Sequence, residues 1–273
     1  MISAADTAKA QRARGALRLS ARRRGPLSEI GELYQAGSMR LLFPQRRGPA
    51  LSAVMLNTAG GVTGGDQFAL DLEAEAGSHL TISTQAAERI YRAQPGPSGQ
   101  VTNRLVLRDN TRVDWLPQET ILFDQASLSR RLEIDMTASS RLLACEALVF
   151  GRRAMGETVD QLHLTDRIDL RIDGRLAFAD RLRLTSNAEA QLARIGVAGG
   201  AVAMATILFA ASGAAGHVPA LRDMLPNTGG VSALSGDLIV LRVLGADSYA
   251  LRQSVLPVLA HLNQAALPRT WMI

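Results

Sequence analysis

Apolar and polar residues alternate with a period of two in run after run of this sequence, and each run is short. Gly15 to Ser20, Phe68 to Glu73, His79 to Thr84, Val101 to Leu107, Leu128 to Met136 and Ile168 to Ile172 all read this way. That is the pattern of strands that bury one face and show the other to water. Between the runs lie strand-ending groups: Ala76-Gly77-Ser78, Pro95-Gly96-Pro97-Ser98-Gly99, Asp109-Asn110 and Asp173-Gly174. Each offers a fixed proline φ or a residue tolerant of positive φ. Many strands at such spacing predict a mainly β fold, a single elongated domain over residues 1–273 that is either β-helix-like or sandwich-like. No repeat of fixed length is visible, so the pattern does not point to a regular solenoid.

The last quarter changes period. Val202 to Phe209 reads as a buried strand, Val218 to Leu225 as a short amphipathic helix stopped by Pro226, and Leu238 to Leu244 as another strand. Ser248 to Leu262 then sets Leu251, Val255, Val258, Leu259 and Leu262 at helical spacing, with Pro257 as a kink point. Two helices near the C-terminus are therefore predicted. Ile195 to Ala215 is about as long as a membrane span, but Gly196, Gly199, Gly200, Ser212 and Gly213 interrupt it. It reads as a buried strand running into a helix. Trp115, Trp271, Met55, Met204 and Met224 read as packing residues.

An apolar fraction of 47% against 20% charged residues is that of a chain with a core to bury. The net charge of +5 comes almost wholly from arginine, Lys9 being the sole lysine, with clusters at Arg12 to Arg24 and at Arg46-Arg47. Residues 1–13 read as a disordered basic arm. Aromatics make up only 4%, too few for base-stacking platforms, so the clusters favour an acidic protein partner; a basic nucleic-acid-binding module stays the alternative. The lone Cys145 excludes an internal disulfide and agrees with a reducing cytosol. Without an apolar segment behind the N-terminal charges, a soluble, cytoplasmic protein with no membrane contact is expected.

The most unusual segment is Leu56-Asn57-Thr58-Ala59-Gly60-Gly61-Val62-Thr63-Gly64-Gly65-Asp66. Gly60, Gly61, Gly64 and Gly65 permit positive φ and close backbone approach, so they shape a tight loop with Asp66 held at its exit. A nucleotide-binding enzyme would use such a loop as a phosphate cradle. The Walker pattern, however, requires Lys-Ser/Thr and a helix where Asp66 leads into a strand. A nucleophilic hydrolase finds no Gly-x-Ser-x-Gly elbow. Three further segments are dense in polar groups: Thr84-Gln85-Ala86-Ala87-Glu88-Arg89-Ile90-Tyr91-Arg92, Trp115-Leu116-Pro117-Gln118-Glu119-Thr120-Ile121-Leu122-Phe123-Asp124 and Gly151-Arg152-Arg153-Ala154-Met155-Gly156-Glu157.

In order and spacing these four segments resemble the UreD (UreH) family of urease accessory proteins over about residues 14 to 271. Small departures fall at Thr58, Ala59 and Ile90. The resemblance implies a β-rich scaffold without catalysis of its own. It also implies a chaperone role in which the chain works in a hetero-oligomer with UreF and the GTPase UreG on apo-urease while the nickel metallocentre is built.

The residues suit a carrier. His79, His163, His217 and His261 are far apart in sequence and no Cys-x-x-Cys or His-x-x-x-His spacing exists, so no tightly bound cofactor is expected and Ni2+ only transiently. Asp66, Glu119, Glu146 and Glu157 are candidates for the metal path; the alternative for each is an ion pair with an arginine such as Arg89, Arg152 or Arg153. Arg89, Tyr91, Arg92 and Arg152 are candidates for partner docking, Arg and Tyr being frequent interface anchors.

Overall fold

The computed structural model describes residues 11–272. In chain order its strands begin with β1 (Arg14–Arg24), β2 (Leu27–Gly37), β3 (Met39–Leu42), β4 (Leu51–Asn57), β5 (Gln67–Ala74) and β6 (His79–Thr84). They continue as β7 (Glu88–Ile90), β8 (Gly99–Leu107), β9 (Arg112–Leu116), β10 (Thr120–Leu122), β11 (Ala126–Met136) and β12 (Arg141–Phe150). The last are β13 (Leu162–Ile172), β14 (Arg175–Ser186), β15 (Ala203–Ala210), β16 (Gly229–Ser235) and β17 (Leu238–Gly245). Three α-helices accompany them: α1 (Ala188–Ala193), α2 (Val218–Met224) and α3 (Ser248–Asn263).

Two sheets face each other. One runs β14-β13-β11-β8-β5-β1-β2, the other β16-β17-β15-β12-β9-β6-β4-β3, with β7 and β10 attached beside β12. From β4 to β13 the main strands alternate between the sheets, so the chain winds as a solenoid and the β-helix-like alternative holds. Each strand lies parallel to the one a coil earlier: Leu51 beside Leu80, His79 beside Arg112, Phe68 beside Val101, Gly99 beside Leu128 and Leu128 beside Leu164. These pairings make successive coils 29, 33 or 36 residues long. Antiparallel strands close the stack at both ends: β2 on β1, β14 on β13, β3 on β4, and β15 with β17 and β16 on β12.

Alternation decides which way each strand faces. In β5 and β11 every second residue is buried, and Leu70, Leu105, Ile134 and Leu170 of the first sheet meet Leu80, Ile82 and Leu142 of the second. β12 does not alternate and is buried almost throughout. Its outer face is covered by the helical layer, where Leu143, Cys145, Ile207 and Leu241 pack with Val255, Leu259 and Trp271. A strand buried on both faces is a near-continuous apolar run, here interrupted by Glu146. Burial also raises the Cys145 thiol far above its ordinary range, so it stays an unreactive core residue.

The turns follow the local chemistry. Asn110, Asp173 and Gly174 take positive φ where turns were expected. Asp247 caps α3 by accepting from the Ala250 amide at 2.7 Å, and Gln264 ends the helix in the left-handed region. Of the basic arm expected over residues 1–13, residues 1–10 lie outside the described residues. Ala13, expected to be disordered with it, is instead held by a 2.8 Å hydrogen bond to Asp66. The short α1 was not anticipated, and Met224 is 41% exposed rather than a packing residue.

Two buried ionic clusters brace the stack. Arg130 of β11 pairs with Glu146 of β12 and with Asp166 of β13, each at 2.6 Å. Trp115 donates its indole N–H to Glu146 at 2.6 Å. Elsewhere Asp114 of β9 meets His79 at 2.9 Å and Arg112 at 3.2 Å. Arg112 then donates to the Asn263 carbonyl at 2.6 Å, fixing the end of α3. Substitution Arg130→Met leaves two carboxylates buried without a cation, and an equilibrium urea titration should show a loss of about 3–5 kcal/mol.

Candidate functional site

The glycine-rich loop between β4 and β5 is built so that only glycine fits at several points. Gly60 and Gly65 have φ of +81° and +84°. A Cβ on Gly61 would lie 2.4 Å from the Tyr91 ring and 2.5 Å from the Arg89 carbonyl, and one on Gly64 would lie 2.9 Å from Ala93. Asn57 staples the loop, accepting from the Ala59 amide and donating to the Gly61 carbonyl, both at 3.0 Å. Asp66 is buried, and its two oxygens accept from the Ala13 and Thr63 amides at 2.8 Å each. The Val62 amide donates to Arg89 at 2.8 Å. Six of the loop's amides, those of Thr58, Ala59, Gly60, Val62, Thr63 and Asp66, are thus spent on the protein itself, and the loop leads into β5 and not into the helix that a phosphate cradle of the Walker type requires.

The other three segments converge on this loop. Val62 bridges Ile90 in parallel, β7 pairs with β10, and β10 pairs with β12. Tyr91 donates its hydroxyl to the Gly60 carbonyl at 3.1 Å and meets the Phe123 ring edge-on at 5.1 Å. The Arg152 guanidinium lies over the Phe123 ring, 4.2 Å from its centroid. Arg152 also pairs with Glu157 at 2.8 Å, and Glu157 accepts from the Asp124 amide at 3.3 Å. That hydrogen bond to Arg152 holds the Glu157 carboxyl below its ordinary range. Four segments spread over about a hundred residues of chain therefore form one rim at one side of the solenoid.

Behind the rim, between the sheets, lies a cavity of about 60 Å3 whose polar lining includes Glu88, Asn103, Gln118, Thr120, Arg130 and Glu146. It has room for a few water molecules. Burial lifts the Glu88 carboxyl to about 7, against weak lowering by Asn57, whose amide lies 3.4 Å from both carboxylate oxygens. Among the described residues Glu88 has no ion-pair partner. Burial also pushes Glu146 upward, and Arg130 and Trp115 pull it back.

The four carboxylates chosen from sequence do not come together. Asp66 serves the loop backbone and among the described residues pairs with no arginine, in contrast to the ion pair offered as its structural alternative. Glu157 belongs to the rim with Arg152. Glu119 faces the helical layer, paired with Arg252 at 3.3 Å. Only Glu146 lines the cavity. Arg89, Tyr91, Arg92 and Arg152 are all exposed around the loop, Arg89 and Arg92 without an ion pair among the described residues. Glu88 is not among the carboxylates that the sequence singles out, although its segment is one of the four. Its only sequence signal is an acidic residue two positions before Ile90, which puts both side chains on one side of β7.

With this geometry in view, comparison with known proteins is direct. A family model described as UreD urease accessory protein matches residues 13–272. A "Urease accessory protein UreD" of Ruegeria pomeroyi is 48% identical over 249 residues, covering 91% of this chain and 97% of that one. Proteins of the same description from Roseobacter denitrificans and Rhizobium leguminosarum bv. viciae are 44% and 42% identical, covering 96% and 99% of this chain and 96% and 99% of their own. Among the described residues no helix is long and apolar enough to cross a membrane.

Two outcomes follow from this site. Asp66→Asn keeps the shape but turns one of two acceptors into a donor facing an amide, so chemical unfolding should show a loss of about 1–3 kcal/mol. Glu88 binds its proton more tightly in the folded chain than at its ordinary value of 4.5, so wild-type stability should fall as pH rises from 4.5 through about 7. Glu88→Gln removes that slope. Thermal unfolding should find the variant more stable than wild type at pH 8 and the gap closed near pH 4.5.

Proposed function

The chain belongs to the UreD family of urease accessory proteins, and from that premise we propose that it is a scaffold through which nickel reaches apo-urease during maturation. The observation that carries the nickel reading is Glu88, a carboxylate without a cation partner among the described residues that sits where the four-segment rim opens on the polar interior. Oxygen and amide donors line that cavity, and neither thiolate nor imidazole is among them. Such donors hold a divalent transition ion weakly, which suits transfer and not storage.

On this reading the chain performs no chemistry of its own and works in a hetero-oligomer with UreF and UreG on apo-urease. Arg89, Tyr91, Arg92 and Arg152 supply the docking surface: a half-exposed aromatic ring among guanidinium groups is the composition of an interface anchor, and their charge suits an acidic partner. Glu88, with Glu146 behind it, offers the ion its first oxygen ligands inside. Asp66 shapes the entrance without touching the ion.

Deleting the gene should leave urease subunits made but poor in nickel and inactive, and wild-type chain should restore both. Complementation with Glu88→Ala should restore the subunit complex but not the metal. Metal analysis of purified urease decides: full nickel in the deletion strain would refute the accessory role, and full nickel with Glu88→Ala would remove Glu88 from the route.

A further inference from the structure

The histidines, scattered in sequence, do not stay scattered in space. His217, at the end of the short turn leading into α2, and His261, in the last turn of α3, approach across the helical layer until His217 Nδ1 and His261 Nε2 are 3.0 Å apart, with the rings at 83°. Both are half-exposed. Phe209 of β15 meets the other side of His217 edge-on at 5.5 Å. The position of His261 is fixed from below, because Arg112 and Arg141 donate to the carbonyls of Asn263 and Leu262 that follow it.

We propose that His217 and His261 form a two-imidazole site for a divalent transition ion of the nickel or copper class, on the helical layer and apart from the rim and cavity. The distance carries the inference. Two nitrogens bound at about 2.1 Å to one ion are about 3.0 Å apart when the angle between the bonds is 90° and about 3.4 Å apart when it is tetrahedral. The observed 3.0 Å, set here by a hydrogen bond between the rings, is also the separation that two nitrogens need in right-angled octahedral or square complexes, so the backbones already stand at the right spacing for two-imidazole ligation. Imidazole is a suitable ligand for such ions. Binding needs a modest rotation of each ring so that both lone pairs converge. The proton now shared in the hydrogen bond then sits on the far nitrogen of its own ring, so two neutral imidazoles lose none.

The surroundings tune the site toward release. Burial first, then His261 and Arg141, hold the His217 imidazole below its ordinary range. Arg141 is the positive charge facing the pair. It lies over the Phe209 ring at 5.1 Å and is partly offset by Asp114 at 3.4 Å. Among the described residues no group of three or more His, Cys, Asp or Glu gathers to hold a metal. The remaining positions around an ion belong to water or to a partner's side chain. Two protein ligands beside a cation make a site that captures an ion and gives it up.

The site is tested on the full chain with NiCl2 alone, and the outcome does not depend on the urease role. Calorimetry should find a site whose affinity falls at least about tenfold in His217→Ala and in His261→Ala, since even the loss of an outer partner of a metal ligand costs 10–100-fold. The exposed His163→Ala should leave it unchanged. X-ray absorption of the nickel-loaded wild-type chain, which needs no variant to fold, should show two imidazole nitrogens on the ion. Unchanged affinity in either variant, or a spectrum without imidazole scattering, would overturn the proposal. A urease that matures normally while these results hold would instead bear only on the accessory role.

Discussion

Arg130 reaches from β11 into the interior and meets carboxylates from two other strands, Glu146 of the second sheet and Asp166 of its own. Apolar packing between two sheets is non-directional, and strands of similar composition could settle one coil out of step at little cost in buried area. A guanidinium holding Asp166 through two hydrogen bonds and Glu146 through an ion pair at 2.6 Å cannot be satisfied out of step. Its correct placement also sets Trp115, which donates to Glu146, and Thr120, which accepts from Arg130 at 3.1 Å. Removing these charges from water costs several kcal/mol per ion, so the cluster acts more to set register than to add stability. It also sets one guanidinium against two carboxyl groups beside the cavity.

The alternation made the strands legible, and the turn residues made several of their ends legible. Asp173-Gly174 is the clearest case, both residues taking positive φ between the antiparallel β13 and β14. What alternation could not show is that the strands belong to successive coils. The steps of 29, 33 and 36 residues differ because the connections differ, the longest passing through the Arg152 to Glu157 turn. Unequal coils blur any fixed period even though the strands themselves align without a break. β12 escaped alternation for a different reason. A helical layer covers its outer face, and nothing within the strand records what packs on it from a hundred residues away.

The rim was legible for the same kind of reason and the cavity was not. Close backbone approach leaves a mark in sequence, because at Gly61 and Gly64 no other residue fits. Burial of a carboxylate leaves none. Glu88 stands next to Arg89 and reads as one half of a surface pair, yet in β7 successive side chains point to opposite sides, so Arg89 faces water while Glu88 faces the interior. Asp66 misled in the opposite direction, its carboxylate being matched to two amides and not to an ion. The meeting of His217 and His261 has no sequence signature, since 44 residues and two strands separate them.

Charge around the site is arranged in opposition. Outside, Arg89, Arg92 and Arg152 surround the loop, and only Arg152 has a carboxylate partner among the described residues. Inside, Glu88 has no cation partner among the described residues and the Arg130 cluster sets one guanidinium against two carboxyl groups. A free divalent ion approaching from solvent is repelled by the first layer before it feels the second, and the repulsion acts over about 8–10 Å at ordinary ionic strength. An acidic protein docked on the rim cancels that layer and excludes the water that screens the interior, which strengthens the attraction of the carboxylates behind it. On the reading of a nickel route, docking and admission are then one electrostatic event. On the same reading the basic rim would keep stray cations out of an interior whose donors are too weak to discriminate among them, and selectivity would pass to whichever partner brought the ion to the rim.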